Sequence, residues 1–85
     1  MLGQRAFRRG DMEVARGAFQ RLVAVRDWDP KEWINLALAC RGLDDEQGEQ
    51  GAIKRALSLD PSDLVALILR ADLLERDAAT GFRRG

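Results

Sequence analysis

Eighty-five residues, 46% of them hydrophobic, with 14 basic residues against 14 acidic ones, make one small domain of zero net charge. That size lies near the lower limit at which a core alone sustains folding, and the charge balance gives no long-range field to attract nucleic acid or an anionic membrane. With no His or Tyr, two Ser and one Thr, the chain lacks His-based acid–base chemistry, the usual nucleophilic triads and most zinc sites, so no catalytic, metal or cofactor residues are expected.

No apolar run approaches the ~20 residues of a spanning helix, and "MLGQRAFRRG" lacks the apolar stretch of a secretion signal. The single Cys40 cannot form an internal disulfide, which points to a reducing, cytoplasmic setting. Only two of the 14 basic residues are lysine, a bias associated with GC-rich bacterial sources.

Hydrophobic periodicity predicts a short helix near 2–9 and a second near 11–26. In the second, Asp11 is the N-cap, and Val14, Ala15, Ala18, Phe19, Leu22 and Val23 share one face. In "DWDPKEW", residues 27–33, Asp29 reads as an N-cap, Pro30 as the first helical residue and Glu32 as the acid of a capping box. Trp28 and Trp33 then occupy the two positions of a hydrophobic staple, a reading preferred to an aromatic clamp for a cationic or planar ligand. The third helix, near 30–42, ends at Gly42. Asp44 or Asp45 starts a fourth near 45–59, with Ala52, Ile53, Ala56, Leu57 and Leu59 facing inward; Gly48 and Gly51 each weaken it by roughly 1 kcal/mol relative to Ala. Asp60-Pro61 breaks the chain. Ser62 or Asp63 begins a fifth helix near 62–76 that runs through Leu64, Leu67, Ile68, Ala71 and Leu74, and the remainder holds at most a stub containing Phe82. Cys40 reads as a small core residue, and the terminal arginines as solvated helix ends and not as an RNA patch.

Aligned with itself at an offset of 34, the chain shows Leu2/Leu36, Asp11/Asp45, Gly17/Gly51, Ala18/Ala52, Arg21/Arg55 and Ala37/Ala71 as identities. Trp33/Leu67, Ile34/Ile68, Phe19/Ile53 and Val23/Leu57 are further matches. A period in the thirties is the mark of stacked supersecondary units. The pattern resembles the tetratricopeptide repeat through Trp33, Leu36, Ala37, Cys40, Ile53, Ala56 and Pro61 in the central unit, and Leu2, Gly3, Ala6, Ala15, Phe19 and Leu22 in the first. Glu49 departs from it, standing where a small residue lets paired helices approach, and Pro30 falls three residues late. The resemblance implies an all-α, right-handed α-solenoid of about two and a half repeats: repeat 1 near 1–29, repeat 2 near 30–61 and a partial repeat 3 near 62–85.

It further implies an inner surface formed by the first helix of each repeat: Lys31, Ile34, Asn35, Leu38, Arg41, Val65, Ile68, Leu69 and Asp72, with Gln4 and Arg8 ahead of them. Such a surface accepts a peptide or helix, so a protein partner is expected. Chaperone-binding members clamp a C-terminal carboxylate with cations, but Val65 and Leu69 stand at two of those positions, which argues against that ligand. An uncovered third repeat offers a second expectation, an oligomerisation element or homodimer contact through Leu67, Leu74 and Phe82. Finally, "LALACRGL" followed by "LSLDPSDLVALILRADLLE" resembles the repeat segment that precedes the catalytic domain in bacterial aspartyl/asparaginyl β-hydroxylase-type proteins. That resemblance implies an N-terminal accessory domain of an iron- and 2-oxoglutarate-dependent enzyme, none of whose iron-binding histidines is present in this chain.

Overall fold

Each turn of this chain is set by an aspartate whose side chain or backbone closes a helix end. In the computed structural model, which describes residues 9–84, Asp29 precedes a helix at Pro30–Gly42 and accepts a hydrogen bond from the Lys31 amide at 3.0 Å. Asp45 does the same for Glu46–Leu59 through the Gly48 amide at 3.0 Å, and Asp63 for Leu64–Arg84 through the Ala66 amide at 3.1 Å. These carboxylates satisfy donors that a helix start leaves orphaned and place negative charge at its positive end. With Arg9–Val25 ahead of them, the described residues form four helices and no strand: α1 (Arg9–Val25), α2 (Pro30–Gly42), α3 (Glu46–Leu59) and α4 (Leu64–Arg84).

The α2–α3 turn is the tightest. The amides of Asp44 and Asp45 donate back to the carbonyls of Arg41 and Cys40 at 3.1 and 2.9 Å, the two bonds of a Schellman ending. The residue that must turn left-handed there is Asp44, with φ 58°, and not the glycine that usually fills this place. Gly42 is the last helical residue, as expected.

Packing runs between consecutive helices: α1 on α2, α2 on α3 and α3 on α4. One core holds Val23 from α1; Ile34, Leu36, Ala37 and Cys40 from α2; Ala52, Ile53 and Ala56 from α3; and Ala66, Leu69 and Leu73 from α4. Phe19, Trp33 and Leu57 pack against it. Alanines 37, 56 and 66 are fully buried, so the helices approach closely where they cross.

Several expectations are corrected here. Arg9, Gly10 and Asp11 are all helical, so no turn falls at 10–11 and Asp11 lies in the first turn of α1 instead of capping it. The expected helix near 2–9 lies outside the described residues save for Arg9. Val14 is 73% exposed and Leu22 39% exposed, because α1 has its main neighbour, α2, on one side only. In the "DWDPKEW" segment, Glu32 approaches Arg26 at 3.7 Å, while the Asp29 amide donates to the Arg26 carbonyl, so the capping box does not form. Trp28 is 63% exposed, with the Arg26 guanidinium 6.0 Å from its ring centroid. The chain's entry into α2 is pinned by Trp33, whose indole N–H donates to the Asp27 carbonyl at 2.9 Å.

The largest correction concerns α4. It does not stop at 76 but continues to Arg84, since no proline follows Pro61 and Ala71, Ala78 and Ala79 favour continuation. Its buried stripe is Ala66, Leu69 and Leu73, while Leu64, Ile68, Ala71 and Leu74 of the apolar positions read in sequence are exposed and Leu67 is half-buried. The run "LVALIL" is apolar all round and offers no polar side to set the phase.

The two glycines of α3 behave differently. A methyl group on Gly48 would meet the Cys40 sulfur at 2.9 Å and the Asp45 carboxylate at 2.5 Å, whereas one on Gly51 meets nothing within 4 Å. Gly51→Ala should therefore stabilise the fold by about 0.5–1 kcal/mol and Gly48→Ala should destabilise it, read as opposite shifts in the urea unfolding midpoint. Equal shifts would contradict the α2–α3 packing described.

Candidate functional site

The expected groove residues divide between core and surface. Ile34 is 7% exposed and Leu69 5% exposed, so both are packed in the core and line no open surface. Leu38 on α2 and Val65 and Ile68 on α4 are open, at 42%, 48% and 57%. Lys31 is exposed, and Asn35 is half-buried against α1. Arg41 and Asp72 form a salt bridge of 2.7 Å that ties α2 to α4.

That bridge sets the geometry of the surface. Short turns make α2 and α3 antiparallel and α3 and α4 antiparallel, so α2 and α4 run in the same sense. Leu38 lies one turn before Arg41, and Ile68 one turn before Asp72, so both exposed side chains stand on the N-terminal side of the bridge, each on its own helix. With Val65, a further turn back along α4, they make up the candidate α2–α4 row.

Asp72 also lies 3.3 Å from Arg76, whose guanidinium donates to Glu49 at 2.8 Å. The chain Arg41–Asp72–Arg76–Glu49 thus joins α2, α4 and α3. Glu49 is 1% exposed, and its second carboxylate oxygen accepts no hydrogen bond among the described residues. This network was not anticipated in the sequence; its one signal was Glu49 at a position suited to a small residue. The hydrogen bond that Arg76 donates to Glu49 holds its guanidinium more firmly protonated than usual; burial opposes this, and the charges of Glu49, Asp72 and Glu46 add smaller support.

A second opening, of about 620 Å³, lies between α1 and α2 and is lined by Met12, Ala15, Phe19, Asn35, Leu38, Ala39, Arg41 and Gly42. Leu38 thus faces both this opening and the α2–α4 row. Of the expected self-association residues, Leu67 is half-buried, and Leu74 is 57% exposed at the edge of a cleft of about 240 Å³ between α3 and α4. The side chain of Phe82 lies outside the described residues, as do Gln4 and Arg8. Among the described residues no group of His, Cys, Asp and Glu is placed to hold a metal ion, and no helix is long and apolar enough to cross a membrane. Compared with known family models, curated proteins and solved structures, the chain matches none.

Cys40 is 2% exposed, and burial, then the Asp45 charge, push its thiol above the ordinary value of 9.0; Arg16 pulls it down, and Glu49 raises it further. The folded chain therefore holds this proton longer than the unfolded chain. The stability linked to it is complete below the ordinary thiol pKa and declines as pH rises past it. A thiol reagent at about pH 8 should label the native chain at least ~100-fold more slowly than the urea-unfolded chain, and equal rates would place Cys40 in solvent.

Removing one partner of a buried pair costs about 3–5 kcal/mol; Arg76 is 38% exposed and can keep part of its hydration, so Arg76→Met should cost about 2–4 kcal/mol. Adding Glu49→Leu should recover most of that loss in urea unfolding. No recovery would assign the cost to the packing of the Arg76 stem, and not to a stranded carboxylate.

Proposed function

We propose that this chain is a non-catalytic interaction module, a right-handed helical array of the tetratricopeptide type, that receives a peptide or helix from a protein partner along α2 and α4. The observation that supports the reading is the exposure of Leu38, Val65 and Ile68, each more than two-fifths open, on the two helices that the Arg41–Asp72 bridge joins. Monomeric proteins seldom leave contiguous apolar side chains open without use, and an apolar row with a charged border suits an amphipathic segment read at helical spacing. Lys31, Arg41 and Asp72 supply that border. The repeat-array assignment rests on the 34-residue self-similarity together with consecutive helix packing. A buried free thiol fits a cytoplasmic, reducing setting. The accessory-domain reading draws on sequence resemblance alone.

The test uses peptides selected from a displayed library on the wild-type chain. Leu38→Glu and Ile68→Glu should each weaken the selected peptides about tenfold or more, while Val14→Glu, on the open side of α1, leaves them unchanged. Circular dichroism and thermal melting should show Leu38→Glu still folded, because that side chain is 42% exposed. Unfolding of Leu38→Glu would make Leu38 a core residue and remove the groove, and peptides insensitive to both substitutions would place binding elsewhere.

A further inference from the structure

Beside its buried stripe, α4 carries Leu64, Leu67, Ala71, Leu74 and Ala78, alternately three and four residues apart, with Leu74 and the neighbouring Arg70 at the edge of the cleft to α3. The alternation is the a and d spacing of a coiled-coil seam. Leu64 is 69% exposed, Leu74 57%, Ala71 and Ala78 are exposed, and only Leu67 is half-buried. Thirty-four residues earlier, the counterparts of Leu67, Ala71 and Leu74 are Trp33, Ala37 and Cys40, of which Ala37 and Cys40 are buried and Trp33 packs against the core. The same pattern is thus covered on α2 and open on α4. Because α4 runs to Arg84 without a turn, no described residue folds back over it.

We propose that a second copy of this chain covers this seam, α4 packing against α4 in parallel. The argument for this occupant is charge. With Leu64, Ala71 and Ala78 as a positions, Arg70 falls at g and Glu75 at e. In a parallel pair the g residue of one helix meets the e residue of the next heptad on the other. Arg70 of each copy then faces Glu75 of its partner, twice by symmetry. Both residues are exposed, and neither belongs to an ion pair among the described residues. The surface is therefore complementary to itself. The pairing leaves Leu38 and Val65 of the peptide-binding row outside the seam, whereas Ile68 falls at e and borders it, so Leu38 is the residue that separates the two surfaces.

Sedimentation equilibrium of the full chain, from about 1 µM to about 1 mM, is the test. The expected result is a monomer–dimer equilibrium that Leu74→Glu abolishes, Leu38→Glu leaves alone and Arg70→Glu weakens by about tenfold. Combining Arg70→Glu with Glu75→Arg should restore the dimer to within about threefold of wild type. In a parallel pair residue 71 faces its own copy, so Ala71→Cys should form an interchain disulfide on mild oxidation, well ahead of Val14→Cys on the open side of α1. A monomer throughout would overturn the pairing, as would a dimer indifferent to Leu74→Glu. A dimer that the charge swap fails to restore, or one without the residue-71 cross-link, would overturn the parallel register. Loss of peptide binding in Leu38→Glu with the dimer intact, or the reverse, separates this proposal from the groove.

Discussion

The arrangement of this small domain depends on one buried carboxylate. Glu49 sits at 1% exposure in the first turns of α3, where desolvating a lone charge would be prohibitive. Its partner must reach in from another helix, and Arg76 on α4 does so at 2.8 Å. That contact requires α4 to extend at least to residue 76 in a fixed rotation about its axis. The same rotation points Asp72 at Arg41 and leaves Val65 and Ile68 exposed. The candidate groove is thus a consequence of how a polar group in the core is satisfied, and the chain's charges act on its geometry more than on its solubility.

The 34-residue self-similarity explains where apolar surface is left over. Ala37 is fully buried while its counterpart Ala71 is exposed, and Cys40 at 2% contrasts with Leu74 at 57%. Identical chemistry at corresponding positions has different surroundings because α2 has α1 and α3 against it, whereas α4 has α3 as its main neighbour. Surface that neighbours on two sides cover on α2 is open on α4 among the described residues, and α4 is apolar around most of its circumference near residues 64–69. A helix of that kind is stable in water only when most of its sides are covered.

The parts of the fold legible in the sequence are those governed by local chemistry. Asp29 and Pro30 mark the start of α2, Gly42 its end, and the aspartates at 45 and 63 the next two starts, because caps act within a few residues of themselves. The all-helical class follows from periodicity for the same reason. The rotation of α4 was not legible, because six consecutive apolar residues contain no phase information and the Glu49–Arg76 contact that fixes it joins residues 27 apart. The end of α4 was hidden because Thr80-Gly81 reads locally as a break, and the gain of continuing was not visible in sequence. Of the site, Leu38, Val65 and Ile68 could be placed from repeat correspondence. Ile34 and Leu69 could not, since burial depends on which neighbours a helix has and not on its own pattern.

The two surfaces of α4 have a joint consequence. In the proposed arrangement the groove uses Leu38 and Val65 and the seam uses Leu64, Ala71 and Ala78, with Ile68 on the border of both, so one helix would serve two occupants that meet at a single residue. A pair joined through the seam presents two α2–α4 rows held at fixed separation by the α3–α4 packing of each copy. Two weak sites in fixed relation bind a doubled or repeated segment far more tightly than either binds a single one, because the second contact is made at a high effective concentration. An 85-residue domain has little area to devote to any one partner, and a short seam supports only modest pairing. Segments that engage both rows would in turn stabilise the pair by mass action, since binding to one state of an equilibrium favours that state. Under the two proposals, a segment that spans both rows would thus couple its binding to self-association, whereas one that fits a single row would couple to it only through the shared border at Ile68.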